Sequence, residues 1–165
     1  MRNQHLQRNE FEDDEGVTRR YAPHANGGGY VEAAARVDPT AFVGEGAYVD
    51  PGAQVMPRAR VAPRAWVDRG SVVGADAEVG PGAHVGPRAV VGSGATVGAR
   101  ARVGEWVRVA PRSRVAPDTV LTAGVTTAAG ATTAAGVTTA AGAGSAGTTS
   151  TRSDARSSAR RRRAA

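Results

Sequence analysis

The chain contains no cysteine and no lysine, and among its 165 residues there are only two Phe, two Trp and three Tyr. Without Cys there is no disulfide framework, no thiolate metal site and no thiol nucleophile. Each buried aromatic would remove roughly 150 to 250 Å² from water, so this few cannot fill a conventional core, and any core must be made of Val and Ala. No apolar run is long enough for a membrane-spanning helix, and the segment before Tyr30 lacks the apolar stretch of a secretory signal. The expectation is a soluble, cytoplasmic protein with no membrane span. What is abundant is Gly, 22 residues in all. Such an excess requires either disorder or a fold that places Gly at fixed turns.

The formal charge of +6 suggests a nucleic-acid binder until it is divided along the chain. Residues 1–29 carry four Arg against five acids, and residues 30–120 carry eleven Arg against nine acids. The last stretch, 152–165, holds six Arg and one Asp. The basicity is therefore mainly a property of the tail. Its Arg160, Arg161, Arg162 and Arg163 suit an anionic partner, since Arg beside phosphate releases counterions. The tail has no aromatic residue to stack on a base, which argues against nucleic acid and for a solvated, disordered end.

The decisive pattern is a period of six. Val recurs at every sixth position from Val31 to Val115, fifteen in succession, and Leu121 follows in phase. Four residues after each Val stands a small residue, mostly Ala, with Ser71, Val107, Ser113 and Thr119 as the variants. Eight of the nine Pro fall two residues after a repeat Val. In an extended segment residues two apart share a face, so a pair such as Ala47 and Val49 points inward together. The intervening "DPG", "GPG", "GPR" and "APR" segments read as turns, with Pro at the first central position and a residue of positive φ at the second. Gly46, Gly52, Gly82 and Gly94 supply that geometry readily. Arg58, Arg64, Arg88 and Arg112 fall at the same place and would adopt it at a cost of roughly 1 to 2 kcal/mol each.

Short strands joined by a corner in every hexad describe an all-β, triangular solenoid with three hexads per coil. The runs "VGEGAY VDPGAQ VMPRAR VAPRAW" and "VGADAE VGPGAH VGPRAV VGSGAT" resemble the hexapeptide-repeat, left-handed parallel β-helix family of bacterial transferases. The left hand is implied by the resemblance. The match runs from Val31 to Val120, or five coils, and with strands about 4.8 Å apart the prism would be roughly 24 Å long. Members of this family are typically trimers that use acyl-coenzyme A or acyl carrier protein. The resemblance thus implies an acyltransferase, with acetyl-CoA or another acyl-CoA as co-substrate, no bound cofactor, and a homotrimeric assembly. A fold does not fix chemistry, and a loop-free repeat equally suits a noncatalytic scaffold or assembly protein.

With three hexads per coil, the outward positions form columns. One column is Tyr30, Tyr48, Trp66, His84, Arg102 and Val120; the second is Arg36, Gln54, Val72, Val90 and Arg108; the third is Phe42, Arg60, Glu78, Thr96 and Arg114. Large rings in line on a prism of small residues need an explanation. Tyr48, Trp66 and Arg102 are therefore read as a subunit-contact or substrate face, aromatics and Arg being enriched in interface cores. In the family a His acts as general base toward the acceptor, and His84, in "AHVGPRAVVG", is the residue here that the resemblance places in that role. An imidazole near pH 7 takes and returns a proton. Arg102 on one side is expected to depress its pKa, and Trp66 on the other offers no acid to orient the ring. Trp106, at a turn in "GEWVRV", is a second exposed ring. The three-His zinc site of the carbonic-anhydrase branch has no counterpart, since residues 30–121 hold one His.

The organisation expected is a polar N-terminal arm or loose cap over 1–29, the β-helix over 30–121, a Thr/Ala/Gly segment over 122–151 and the Arg-rich tail over 152–165. Within 122–151 the period persists, but Thr127, Thr133 and Thr139 take the large inward phase. An inward hydroxyl needs a hydrogen-bond partner, so the segment is either a thinned continuation of the solenoid or a disordered spacer.

Overall fold

The computed structural model describes residues 10–12 and 18–133, with side chains from Arg20 onward. The Arg-rich tail, residues 134–151 of the Thr/Ala/Gly segment, and residues 1–9 and 13–17 of the arm lie outside the described residues. Strands β1 (Glu10–Glu12), β2 (Thr18–Pro23) and β3 (Tyr30–Glu32) are followed by a succession of two-residue strands, from Arg36–Val37 to Thr132–Thr133. No helix occurs among the described residues, and hence none long and apolar enough to cross a membrane.

The strands form three sheets, in which the strands of the repeat lie three hexads apart in sequence. Each strand of the repeat pairs in parallel with the one three hexads further along, as in Trp66↔His84, Val72↔Val90 and Glu78↔Thr96. The result is a triangular parallel β-helix, and this in-register spacing is the arithmetic expected from three hexads per coil. Two-residue strands cannot hold together alone. They persist because every coil lies against the next, so the structure is a stack whose stability comes from neighbours.

Side-chain alternation sorts the hexad. From Val43 to Val115 the repeat Val are buried with at most 2% exposure, and the small residues between them, such as Ala47, Ala65 and Ala83, are equally enclosed. The two buried Ser return their hydroxyls to the turn: Ser71 Oγ donates to the Asp68 carbonyl and Ser113 Oγ to the Ala110 carbonyl, both at 2.6 Å. No buried polar side-chain atom lacks a partner among the described residues.

The corners are left-handed, as the turn chemistry requires. Arg58, Arg64, Arg88 and Arg112 have φ of 59°, 60°, 55° and 57°, and Asp76, Arg100, Trp106 and Asp118 share that geometry. It turns each corner N–H along the prism axis, where it donates to the preceding coil: Arg64 N to the Glu45 carbonyl at 3.2 Å, Arg100 N to the Pro81 carbonyl at 3.0 Å. Two corners gain a further tie, because Arg58 and Asp76, and likewise Arg100 and Asp118, form bidentate ion pairs from one coil to the next.

The N-terminal arm adds an antiparallel extension to one sheet. Strand β1 pairs with β2, and β2 with β3, with Tyr21 opposite Glu32. The β2 to β3 turn uses the Gly run: Gly27 has φ 110°, and a Cβ there would collide with the Val43 carbonyl oxygen. The side chain of Tyr21 is buried and its hydroxyl donates to Asp50 Oδ1 at 2.9 Å.

At the other end the period continues into a further turn, Thr132–Thr133 pairing with Arg114–Val115. The inward Thr127 finds its partner in the backbone: its Oγ1 accepts from Ala110 N at 2.9 Å. In earlier coils the equivalent N–H donates to a main-chain carbonyl, as Gly92 does to Val109. The hydroxyl has therefore taken over a rung of the ladder, and residues 122–133 continue the solenoid with a looser interior.

Candidate functional site

The outward column on the first sheet is assembled in the expected register. Tyr30, Tyr48, Trp66, His84, Arg102 and Val120 lie on successive strands of one face. Their rings form a ladder: Tyr30 stacks on Tyr48 with centroids 5.2 Å apart, Tyr48 and Trp66 are 6.0 Å apart, and Trp66 and His84 are 5.9 Å apart. Tyr21 meets Tyr48 edge-on at 5.8 Å, so the arm contributes a ring beside the ladder. Trp66 remains 49% exposed at its middle.

His84 has an acidic partner that the column argument missed. Its Nε2 lies 2.8 Å from Asp68 Oδ2, with the Asp68 side chain largely buried and His84 partly open to solvent. A carboxylate only accepts, so Nε2 carries the proton and donates it. The expectation that no acid orients the ring is therefore incorrect. Asp68 follows the inward Val67, and its outward side chain is the diagonal neighbour of His84 across the strand pair. Such diagonal positions are within reach of long side chains. The signal was in the sequence, in the column one place beyond the repeat Val: Glu32, Asp50, Asp68, Gly86. Gly86, next in that column, brings no side chain to stand between Asp68 and His84.

The direction of the His84 pKa also differs from expectation. Hydrogen bonding to Asp68 raises it above the ordinary imidazole value, and partial burial opposes this. The field of Asp68 adds to the rise, and Arg102 lowers it by a smaller amount. The Asp wins over Arg102 because it is in direct hydrogen-bonded contact. The imidazole is thus held in one orientation, with Nδ1 left as the basic atom once the ring is neutral. Among the described residues no three His, Cys, Asp or Glu side chains converge to hold a metal ion.

Trp106 lies away from this ladder, on the corner that follows the Arg102 strand, where it is 55% exposed. The guanidinium carbon of Arg88 is 4.8 Å from its ring centroid.

Comparison with known proteins agrees with this architecture. Residues 70–105 match the family described as bacterial transferase hexapeptide (six repeats). The fold is the left-handed parallel β-helix of hexapeptide acyltransferases. Among solved structures, a histidine-to-asparagine variant of perosamine N-acetyltransferase from Caulobacter crescentus, in complex with CoA and GDP-perosamine, is 29% identical with a TM-score of 0.61. The match covers 63% of this chain and 50% of that one. A second structure from Caulobacter crescentus with the same two ligands is 28% identical, TM-score 0.61, covering 64% of this chain and 51% of that one. A hexapeptide transferase family protein from Anaplasma phagocytophilum, 19% identical over 68% of this chain and 73% of its own, shares the fold with a TM-score of 0.54. The chain thus spans about half the length of the two Caulobacter structures. No curated protein gives a match.

Proposed function

We propose that this chain is an acyltransferase that moves an acyl group, acetyl in the simplest case, from acyl-CoA to an amine or hydroxyl acceptor. His84 is its general base and Asp68 the residue that orients that base. The observation carrying the proposal is the 2.8 Å contact between His84 Nε2 and Asp68 Oδ2 on the face that bears the aromatic ladder. Likeness to an acetyltransferase crystallised with CoA and an amino-sugar nucleotide supports it.

The chemistry follows from the geometry of the pair. As the acceptor nitrogen or oxygen attacks the thioester carbonyl, neutral His84 takes its proton at Nδ1, and the Asp68 carboxylate stabilises the imidazolium that forms. The tetrahedral intermediate then collapses, the carbon–sulfur bond breaks, and the imidazolium returns the proton to the departing thiolate. A positioned acid–base group of this kind contributes about 10²- to 10⁴-fold. Tyr48 and Trp66 offer rings for an acceptor or for a neighbouring subunit, and Arg102 offers a cation beside the base. The active assembly is a cytoplasmic homotrimer with this face at the contact between copies. The test is thiol release from acetyl-CoA in the presence of amino-sugar nucleotides. His84→Ala should slow release by about 10²- to 10⁴-fold while leaving the melting curve in place; unchanged release would remove His84 from the mechanism.

A second reading, a noncatalytic solenoid that serves as an assembly module, draws on one observation: each strand between Arg36 and Leu121 follows its predecessor at the hexad interval, with no inserted loop. Under that reading acetyl-CoA would not alter the thermal midpoint, whereas a ligand that binds the native state must raise it.

A further inference from the structure

The corner between the first and second sheets carries a column of Gly52, Gly70, Arg88, Trp106 and Gly124, all with positive φ. Their N–H groups form a ladder along the prism, Trp106 N donating to the Pro87 carbonyl at 3.1 Å and Gly124 N to the Glu105 carbonyl at 3.0 Å. Gly fits such a backbone without strain. Trp106, with φ 59°, does not, and a bulky residue in left-handed geometry is an outlier that asks for a use. The core gives it none, because the ring is 55% exposed.

The surroundings of that ring define what it suits. Arg88 covers one face, its guanidinium carbon 4.8 Å from the centroid. On the side away from Arg88 the column position of the next coil is Gly124, which carries no side chain. Arg102 and Arg108 occupy the strands on either side of the corner and are exposed, as is Arg69 one coil away from Arg88. Among the described residues the acids along this corner are Asp50, Asp68 and Glu105; Asp50 accepts from the Tyr21 hydroxyl and Asp68 is engaged with His84. The corner thus combines a largely exposed indole with four guanidinium groups, those of Arg69, Arg88, Arg102 and Arg108.

We propose that Trp106, Arg102 and Arg108 form a subsite for a nucleoside phosphate: the base stacks on the exposed indole of Trp106 and the phosphates pair with the two flanking guanidiniums. Every base has a face that stacks on an aromatic ring, and Arg presents a planar fork that matches phosphate oxygens. Arg88 holds the ring from behind through its cation–π contact. Arg102 is also in register with His84, so the subsite adjoins the acyl-transfer centre, and its assignment to a substrate of that centre rests on the acyltransferase reading. Both the nucleotide end of an acyl-CoA donor and a nucleotide-linked acceptor present this chemistry.

The test uses the full chain with Trp66→Phe, which leaves Trp106 as its one tryptophan. Its fluorescence is followed during titration with adenosine 3′,5′-bisphosphate, GDP, adenosine and inorganic pyrophosphate. Saturable quenching is expected with at least one of the two nucleotides; tighter binding of the bisphosphate marks the donor end, and tighter binding of GDP marks the acceptor. Adenosine and pyrophosphate should bind about tenfold or more weakly, the scale of losing one stacking or charged contact. Trp106→Gly, which suits the corner backbone, should keep the melting curve and weaken nucleotide binding by a similar factor in calorimetry, and Arg102→Ala and Arg108→Ala should each weaken it and flatten its salt dependence. The inference is overturned if neither nucleotide binds, if pyrophosphate competes as well as the nucleotide, or if Trp106→Gly dissociates the assembly without touching nucleotide affinity. Nucleotide binding that survives His84→Ala supports the subsite independently of catalysis. Thiol release that is intact in a chain with no nucleotide affinity at this corner leaves the acyltransferase reading standing and removes the subsite.

Discussion

The three faces of the prism have the same inside and different outsides. Val49, Val55 and Val61, one from each sheet, are all buried to 2% or less. Outward, the second sheet presents Arg36, Gln54, Val72, Val90 and Arg108, and the third Phe42, Arg60, Glu78, Thr96 and Arg114. The first alone carries an uninterrupted ladder of rings ending in a His–Asp pair. The inner pattern repeats because stacking needs it everywhere; the outer pattern departs from repetition at the face where chemistry is proposed.

The comparison can be broken most severely at a single strand, His84–Val85, whose two residues face opposite ways. Val85→Asp places an unpaired carboxylate in the apolar interior and should cost about 3 to 5 kcal/mol, visible as a collapse of the chemical denaturation midpoint. The adjacent His84→Ala should leave that midpoint near the wild-type value and instead lower kcat/KM by about 10²- to 10⁴-fold. If the two variants lost stability equally, the division between an inner fold and an outer site would fail at this strand.

Asp68→Asn sharpens the same face more gently. The contact with Asp68 raises the His84 pKa, so the neutral, proton-accepting form accumulates only as pH rises through that elevated value. The ascending limb of kcat/KM should therefore sit above the ordinary imidazole value of about 6.5 and move to lower pH in Asp68→Asn. A limb that stayed in place would show that Asp68 does not govern the base. The same linkage acts on stability: with a folded pKa above the unfolded one, the pair's contribution is full below the unfolded value and is lost as pH rises through the folded value. The smallest effect lies at the corners. Arg112→Gly relieves a φ of 57° and should stabilise the chain by about 1 kcal/mol or less in a denaturant titration, the left-handed strain relieved being partly offset by the flexibility of Gly.

What was legible in the sequence was whatever obeys the period. The inward Val and Ala, the three-hexad register and the left-handed Arg corners all follow from one hexad, because side-chain alternation and turn geometry are local. Asp68 escaped because each strand offers two outward places, one before and one after the Val, and only the first was followed into columns. Once Val67 points inward, Asp68 must point outward beside the strand that bears His84. The arm was illegible for a different reason. Its pairing of Tyr21 with Glu32 and the bond from Tyr21 to Asp50 are contacts of an aperiodic segment, and no repeat announces them. Thr127 falls between the two: its inward phase could be read, but its capture of the Ala110 N–H depends on local geometry.

The central claim is that the first face serves an acyl-CoA-dependent reaction, and the thermal midpoint of the full chain, measured with increasing acetyl-CoA, tests it most directly. The account predicts a midpoint that climbs with ligand concentration and a smaller climb in Arg102→Ala, which removes the cation beside His84. A midpoint indifferent to acetyl-CoA at every concentration would contradict it and leave the solenoid as a scaffold.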